Sequence, residues 1–334
     1  MRQNKLNLKY IFLCTLVICM FLTTACGKDS RIILTTGFDN DEIFRLEGVS
    51  CYKPEVMVYL TTMQNQYESA FGEQIWKTET GGITLEDSVK QTVLARLAKI
   101  KMMNIMAASY KLELTKEQEQ RAELAAKNYY SSLSDAEKSA FGNIKESDIC
   151  KMYKEYALAD SLYDYLTADV NVEISDDEAR TITVEQIKVA SQEEGQQILR
   201  ELRDGASFDE IAMSRSLSEE LIVSFHKGDT DEAKETACFN LGEKEVSLVT
   251  ECSDGYYIFK CLNTLDREKT DNRKAEIMEQ RRQEAFDAAY NSFMEGKRCY
   301  LNEEAFEAIE FVGGGEVDTM DFFDVYEQTM GTVK

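Results

Sequence analysis

The chain has 334 residues, room for roughly two domains at about 150 residues each. It is 43% hydrophobic and carries 61 Asp and Glu against 38 Lys and Arg, a formal net charge of −23; it can pack a core but has no basic surface for nucleic-acid phosphates. A single histidine, His226, almost closes the usual routes to a His-based triad or a multi-His zinc site, and a single proline leaves the chain free to be mostly helical.

Arg2, Lys5 and Lys9 precede an apolar run of 13 residues, Tyr10 to Leu22. That is the length of a signal-peptide core and short for a membrane-spanning helix. Leu22-Thr23-Thr24-Ala25-Cys26-Gly27 follows. Small residues before a cysteine resemble a bacterial lipobox, with Thr23 where Leu is usual. The resemblance implies a signal peptide over 1–25, lipid attachment at Cys26 and a polar tether over 26–41, on the extracytoplasmic face of a bacterial membrane. An ordinary signal peptide cut near Ala25, or an uncleaved anchor, is the alternative. Without its first three basic residues the chain keeps 35 basic against 61 acidic, a net −26. It is too acidic to hold anionic lipid, so acyl chains would have to anchor it. Asp39-Asn40-Asp41-Glu42 starts like a calcium loop but lacks the Gly and terminal Glu at the right spacing, so it reads as a solvated run and no metal is implied. Cys51, Cys150, Cys238, Cys252, Cys261 and Cys299 remain; an even number permits disulfides, and buried free thiols are the other reading.

Glu42 to Val49 reads as a short strand. Lys53-Pro54-Glu55 starts a helix, with Pro in the first turn. Thr84-x-x-Asp87 caps a stronger one, in which Leu85, Val89, Val93, Leu97 and Ile100 recur at helical spacing. Thr115-x-x-Gln118, Ser134-x-x-Glu137 and Ser175-x-x-Glu178 are further caps, with helices near 116–131, 135–141 and 146–168. Met102, Met103 and Met106 form an apolar cluster that reads as core or as a pliable binding surface. Residues 42–178 are thus expected to form a helical domain.

From Thr181 the pattern changes. Thr181 to Val189 alternates as a strand. Glu193 to Asp204 is a helix stopped by Gly205, and Ser207-x-x-Glu210 opens another over Phe208 to Met213. Val246 to Thr250 and Tyr256 to Leu262 read as strands around Ser253-Asp254-Gly255. These make a small domain over 179–265. A long helix over Lys269 to Lys297 has one apolar stripe, and a strand is expected at 306–312, within a segment 266–312 packing on the helical domain. Gly313-Gly314-Gly315 reads as a flexible joint to a loosely held acidic tail, 313–334.

Four segments resemble parvulin-type peptidyl-prolyl isomerases. Gln186-Ile187-Lys188-Val189 matches the first strand, usually HILV. Leu199 to Ile211, LRELRDGASFDEI, matches the helix–Gly–Ala–x–Phe–helix segment. Phe239-x-Leu241-Gly242-Glu243-x-Glu245-Val246-Ser247 matches F-x-L-x-x-G-E-V-S with one residue fewer. Gly255-Tyr256-Tyr257-Ile258 matches the last strand, usually GYHII. Thr84 to Glu119 is similar to the helical region of SurA, and the domain order over most of 42–298 resembles PrsA/SurA-type extracytoplasmic foldases. The resemblance implies a multidomain α plus α/β fold: a SurA-like helical chaperone domain, a parvulin-like (FKBP-like) antiparallel-sheet domain and a long C-terminal helix.

Departures sit at the site. Gln186 and Tyr257 replace the two family histidines, and Ser218, or Leu217 beside it, falls where a Cys or Asp is usual. Thr230 and Lys234 align with the Met and aromatic that line the proline pocket, with Phe239 as a further substrate-binding position. The Gly-Gly loop is reduced to Gly228-Asp229, and His226 is expected in a surface loop. Gln186 and Tyr257 can still hydrogen-bond each other, which would keep the central polar pair. No cofactor is implied. The reading is a lipid-anchored foldase that binds unfolded or partly folded secreted proteins through a degenerate isomerase domain. The alternatives are an active isomerase with a non-histidine site and a structural or interaction lipoprotein.

Overall fold

The structure is a computed structural model that describes residues 31–34, 37–170 and 173–331. The predicted signal peptide 1–25 and lipid-attachment residue Cys26 lie outside the described residues, as do 27–30 and 35–36 of the predicted tether. The chain divides into two compact units, 1–168 with 285–334, and 169–284. Among the described residues, no helix is long and apolar enough to cross a membrane.

The first unit begins with β1 (Arg31–Leu34), β2 (Glu42–Leu46) and β3 (Val49–Tyr52), and further on carries a short antiparallel pair, β4 (Glu79–Thr80) and β5 (Ile83–Thr84). The strand expected over 42–49 is a hairpin instead: Glu47 and Gly48 take φ of 45° and 88°, the paired left-handed turn that joins antiparallel strands. β10 (Arg298–Leu301) enters between β1 and β2, giving the order β1-β10-β2-β3. Glu42 is not in a solvated run. It is fully buried, paired with Arg45 and accepting hydrogen bonds from Ser50 Oγ at 2.5 Å and Asp39 N at 2.9 Å.

The first four helices of this unit are α1 (Lys53–Phe71), α2 (Leu85–Ser109), α3 (Lys116–Ser132) and α4 (Asp135–Ala140). A fifth, α5, spans Glu146–Thr167. Their starts follow the local chemistry. Pro54 sits in the first turn of α1, and Thr84 Oγ1 accepts from Asp87 N at 3.1 Å. Thr115 with Gln118, and Ser134 with Glu137, form reciprocal capping boxes. Ser175 Oγ accepts from Glu178 N at 3.1 Å, but no helix follows. Met102, Met103 and Met106 are buried among Val56, Val93 and Met152, so the cluster is core and offers no binding surface.

The predicted strand at 306–312 is absent. Asn302 caps α10 (Glu303–Glu307), accepting from Ala305 N at 3.3 Å, and Ile309 is then buried in irregular chain. The apolar alternation there marks burial without a partner strand. The tail is not loosely held over its described part: α11 (Phe322–Met330) seats Phe322 at 0% exposure.

The second unit holds β6 (Thr181–Val189), α6 (Gln192–Arg203), α7 (Phe208–Arg215), β7 (Ile222–His226) and α8 (Glu232–Phe239). It continues with β8 (Thr250–Cys252) and β9 (Gly255–Asn263). The strands form an antiparallel sheet in the order β7-β6-β9-β8. Ile187, Val189 and Ile258 pack against Ile198, Phe208 and Ile211 of α6 and α7 on one face. Ile182, Val184 and Phe259 pack against Cys238 and Leu241 on the other, which α8 covers. The strand expected at Val246–Thr250 starts only at Thr250. Ser247 Oγ accepts from Phe259 N at 2.9 Å, so a side chain takes the place of a ladder bond. His226 ends β7 rather than lying in a loop. Helix α9 spans Arg267–Met294, and its Phe286 and Tyr290 belong to the first unit's core. All six described cysteines are free thiols; Cys51, Cys238 and Cys261 are buried, and Cys150, Cys252 and Cys299 are half-buried.

Candidate functional site

Side chains alternate along a strand, so Gln186 and Lys188 of β6 continue the face begun by Ile182 and Val184. The register sets Gln186 opposite Phe259 and Lys188 opposite Tyr257. Gln186 and Tyr257 are therefore diagonal neighbours, and the hydrogen bond open to them is not formed. Gln186 Nε2 donates instead to Ser218 Oγ at 3.1 Å and to the Glu220 carbonyl at 2.8 Å. Tyr257 Oη donates to Asp254 Oδ2 at 2.7 Å. Ser218 lies in the segment that runs beside β6, where Leu217 N donates to Lys188 O at 2.9 Å and Gln186 N to Leu221 O at 2.8 Å. Gln186 and Tyr257 are 8% and 4% exposed, so the polar groups at both histidine positions are spent inside the domain.

A salt-bridge cluster covers Tyr257. Lys188 Nζ lies 2.7 Å from Asp254 Oδ2, and Lys234 Nζ lies 3.3 Å from Asp254 Oδ1. Lys234 also sits 4.2 Å above the Tyr257 ring centroid, a cation–π contact, while Phe259 stacks on Tyr257 at 5.5 Å and 4°. Hydrogen bonds from Lys188 and Tyr257 hold the Asp254 carboxyl far below the usual carboxylate range. Asp254 in turn raises Lys188 above an ordinary lysine. All three charges are fixed at neutral pH, and none is poised to exchange a proton there.

The structure brings Gln186 to Ser218, and Tyr257 to Lys234. It does not gather the rest. Thr230 lies in the turn before α8, ahead of the capping residue Asp231. Phe239 ends α8, five residues beyond Lys234, where its ring meets Phe225 at 6.3 Å and the Arg180 guanidinium at 5.4 Å. Sequence reasoning missed Lys188 and Asp254. The period of two placed Lys188 on the Gln186 face, but Asp254 read only as a turn residue.

Beside the cluster, a groove of about 950 Å³ lies between α8 and residues 245–253. Ala237, Leu241, Val246 and Leu248 line it among Asp231 and Glu251. Leu248 is 73% exposed. Gln186, Lys234 and Tyr257 do not line this groove.

No family model matches the sequence, and no curated protein matches it. Among solved structures, the chain is similar to PrsA foldases and SurA-like chaperones. A peptidylprolyl isomerase, PrsA, from Bacillus cereus aligns at 17% identity and a TM-score of 0.38, over 90% of this chain and 100% of that one. The foldase protein PrsA from Lactococcus lactis aligns at 14% and 0.34, over 85% and 98%. A SurA-like chaperone from Campylobacter jejuni aligns at 11% and 0.30, over 78% and 98%.

Proposed function

We propose that the chain is a lipid-anchored extracytoplasmic chaperone, held by Cys26, that binds unfolded or partly folded secreted proteins and whose isomerase-like domain does not catalyse. The observation that carries the second half is the Lys188–Asp254–Lys234 cluster across Tyr257. Twisting an amide meets a barrier of about 18–20 kcal/mol. Lowering it requires an apolar seat for the proline ring and polar groups aimed at the twisted amide. Lys234, at the position the resemblance gives the ring-lining aromatic, sets an ammonium over Tyr257, and Gln186 and Tyr257 already bond inward. The anchor reading is supported by the n-region, apolar core and Cys26 in sequence. The acidic surface would keep the protein from self-association and favour neutral or basic clients.

The test is X–Pro cis–trans exchange in tetrapeptides, followed by NMR over a series of X residues. No acceleration is expected even at high protein concentration, while aggregation of an unfolding client is suppressed. Acceleration that Tyr257→Phe or Gln186→Ala abolishes would overturn the degenerate-site reading. Unchanged client aggregation would overturn the chaperone reading.

A further inference from the structure

β7 stands at the edge of the second unit's sheet, with β6 on one side and no strand on the other among the described residues. The ladder decides which of its main-chain groups face outward. Gln186 N donates to Leu221 O at 2.8 Å, and the register pairs Val184 with Val223 and Ile182 with Phe225. Main-chain groups alternate in direction along an antiparallel strand. Leu221, Val223 and Phe225 therefore bond toward β6, and Ile222 and Ser224 turn their N–H and C=O groups outward. Among the described residues, none of these four outward groups has a hydrogen-bond partner.

A bare edge invites pairing with another extended chain, and proteins usually blunt it with charge, a proline or a bulge. β7 has none of these. Its pairing with β6 runs without a bulge, and Leu221 to Gly228, LIVSFHKG, contains no proline. Ile222 is 61% exposed. The one lysine, Lys227, lies past the end of the strand, 2.9 Å from Asp177.

The charges at the two ends choose the partner. Glu219 and Glu220 precede β7, and His226 and Lys227 close it. When two copies pair antiparallel about a two-fold axis at Val223, the acidic end of each meets the basic end of the other. The same register meets a second, independent condition. It sets Ile222 opposite Ser224 of the second copy, and these are the residues whose main-chain groups face outward, so each such pair can exchange two hydrogen bonds. An axis at Ser224 keeps the outward groups together but sets Glu219 against Asp229. An axis between residues sets outward groups against inward ones. The net charge of −23 holds copies apart wherever acidic surface faces acidic surface. Leu221 to Gly228 carries no acidic residue, so this strip is where two such chains can meet.

We propose that β7 is a self-association edge, at which a second copy of this chain pairs antiparallel about Val223 and joins two four-stranded sheets into one. Any extended chain could satisfy the main-chain groups, but the order of acid before base at both ends is met by β7 itself. The proposal stands apart from the chaperone reading and does not need it.

The experiment uses the full chain in detergent micelles, followed by sedimentation velocity and by cross-linking with the thiol oxidant diamide. A residue on a two-fold axis faces its own copy, and at a non-hydrogen-bonded antiparallel pair the Cα atoms are about 4.5 Å apart, within disulfide range. Val223→Cys is expected to give a disulfide-linked dimer beyond the wild-type level. Leu217→Cys, at a site 62% exposed but far from the axis, is expected to give no excess. Lys227→Glu is expected to weaken the dimer about tenfold, because the axis doubles each change: two attractions are lost and two repulsions made. Adding Glu219→Lys to it should restore the dimer, which a merely structural loss at 227 would not allow. Should Val223→Cys fail to fold, the charge exchange alone decides. A chain that stays monomeric overturns the proposal. So does a dimer that is indifferent to Lys227→Glu and gives no excess cross-link at 223, since it would use another face. Loss of the cross-link when reduced, carboxymethylated α-lactalbumin is added in excess would overturn the choice of partner and give the edge to extended clients.

Discussion

Replacing Lys101 with methionine is expected to cost the first unit about 3–5 kcal/mol, the range for breaking one side of a buried ion pair. Lys101 Nζ lies 2.5 Å from Glu55 Oε2 and 2.6 Å from Glu155 Oε2, and the lysine side chain is 1% exposed. The three residues tie α1, α2 and α5 together. Burial opposes protonation of Lys101, but the two carboxylates outweigh it and hold the lysine above its ordinary range. Burial also keeps the Glu155 carboxyl raised despite the ammonium beside it. Methionine fills a similar volume, so the loss is electrostatic: two carboxylates remain in a dry site with only the half-exposed Lys151, 3.7 Å from Glu155 Oε1, as a counter-ion. Adding Glu55→Gln and Glu155→Gln removes those charges and should return most of the stability. The deficit of the single variant should also shrink on acidification. Burial already raises the Glu155 carboxyl, and without the Lys101 ammonium it would stand higher still, so stability is regained as pH falls through it. Urea unfolding reads this directly, since the protein's one tryptophan, Trp76, lies in the first unit against Tyr67 at 5.5 Å and Phe311 at 4.6 Å. A single variant within about 1 kcal/mol of wild type, the size of an exposed pair, would show that water reaches the cluster.

What the sequence discloses about this fold is mostly what short range determines. Thr115 with Gln118 and Ser134 with Glu137 are three apart, and each box needs only its own turn of chain. The alternation in Thr181–Val189 is equally local, and it found β6. The pairings that escaped are distant ones. β10 slots between β1 and β2, joining Cys299 to Leu46 and Ile32, and no periodicity in 298–301 announces that partner. Phe322 sits in an acidic segment after three glycines, a composition that reads as tail, yet three distant aromatic residues, Tyr59, Tyr129 and Tyr153, make its seat. α8 escaped because its two turns are charged on the outside and carry only Cys238 fully inward. The site divides in the same way. The resemblance located Gln186, Ser218 and Tyr257 on one domain, but their partners follow from register. A one-residue difference in the β6–β9 pairing would move Tyr257 to the other face of the sheet. Lys188 and Asp254 are 66 residues apart, and only the folded sheet sets them together over the Tyr257 ring.

Stability of the first unit should rise by about 1 kcal/mol between pH 7 and pH 5 through a single carboxyl, Asp160. Tyr326 Oη of α11 donates to Asp160 Oδ2 at 2.7 Å. Burial pushes the Asp160 carboxyl up to about 6 from 3.8, against the lowering effect of the Tyr326 hydrogen bond. Asp164 on its own helix and Glu327 on α11 push it the same way as burial, and Arg96 on α2 opposes them. An acid with a raised folded value binds its proton more tightly when folded. Its stabilisation is therefore absent well above 6, grows as pH falls through 6, and is complete below the unfolded value near 3.8. Acidification also relieves the repulsion of a −23 chain, so wild type alone cannot isolate the effect. The readout is the difference between wild type and Asp160→Asn, which keeps an acceptor for Tyr326 and carries no charge. The asparagine variant should be the more stable at pH 7, and the two should converge toward pH 5. Parallel pH profiles would mean that solvent already reaches Asp160. Convergence would mean that the seat of α11 tightens on acidification, through protonation of the one carboxyl that the Tyr326 hydroxyl touches.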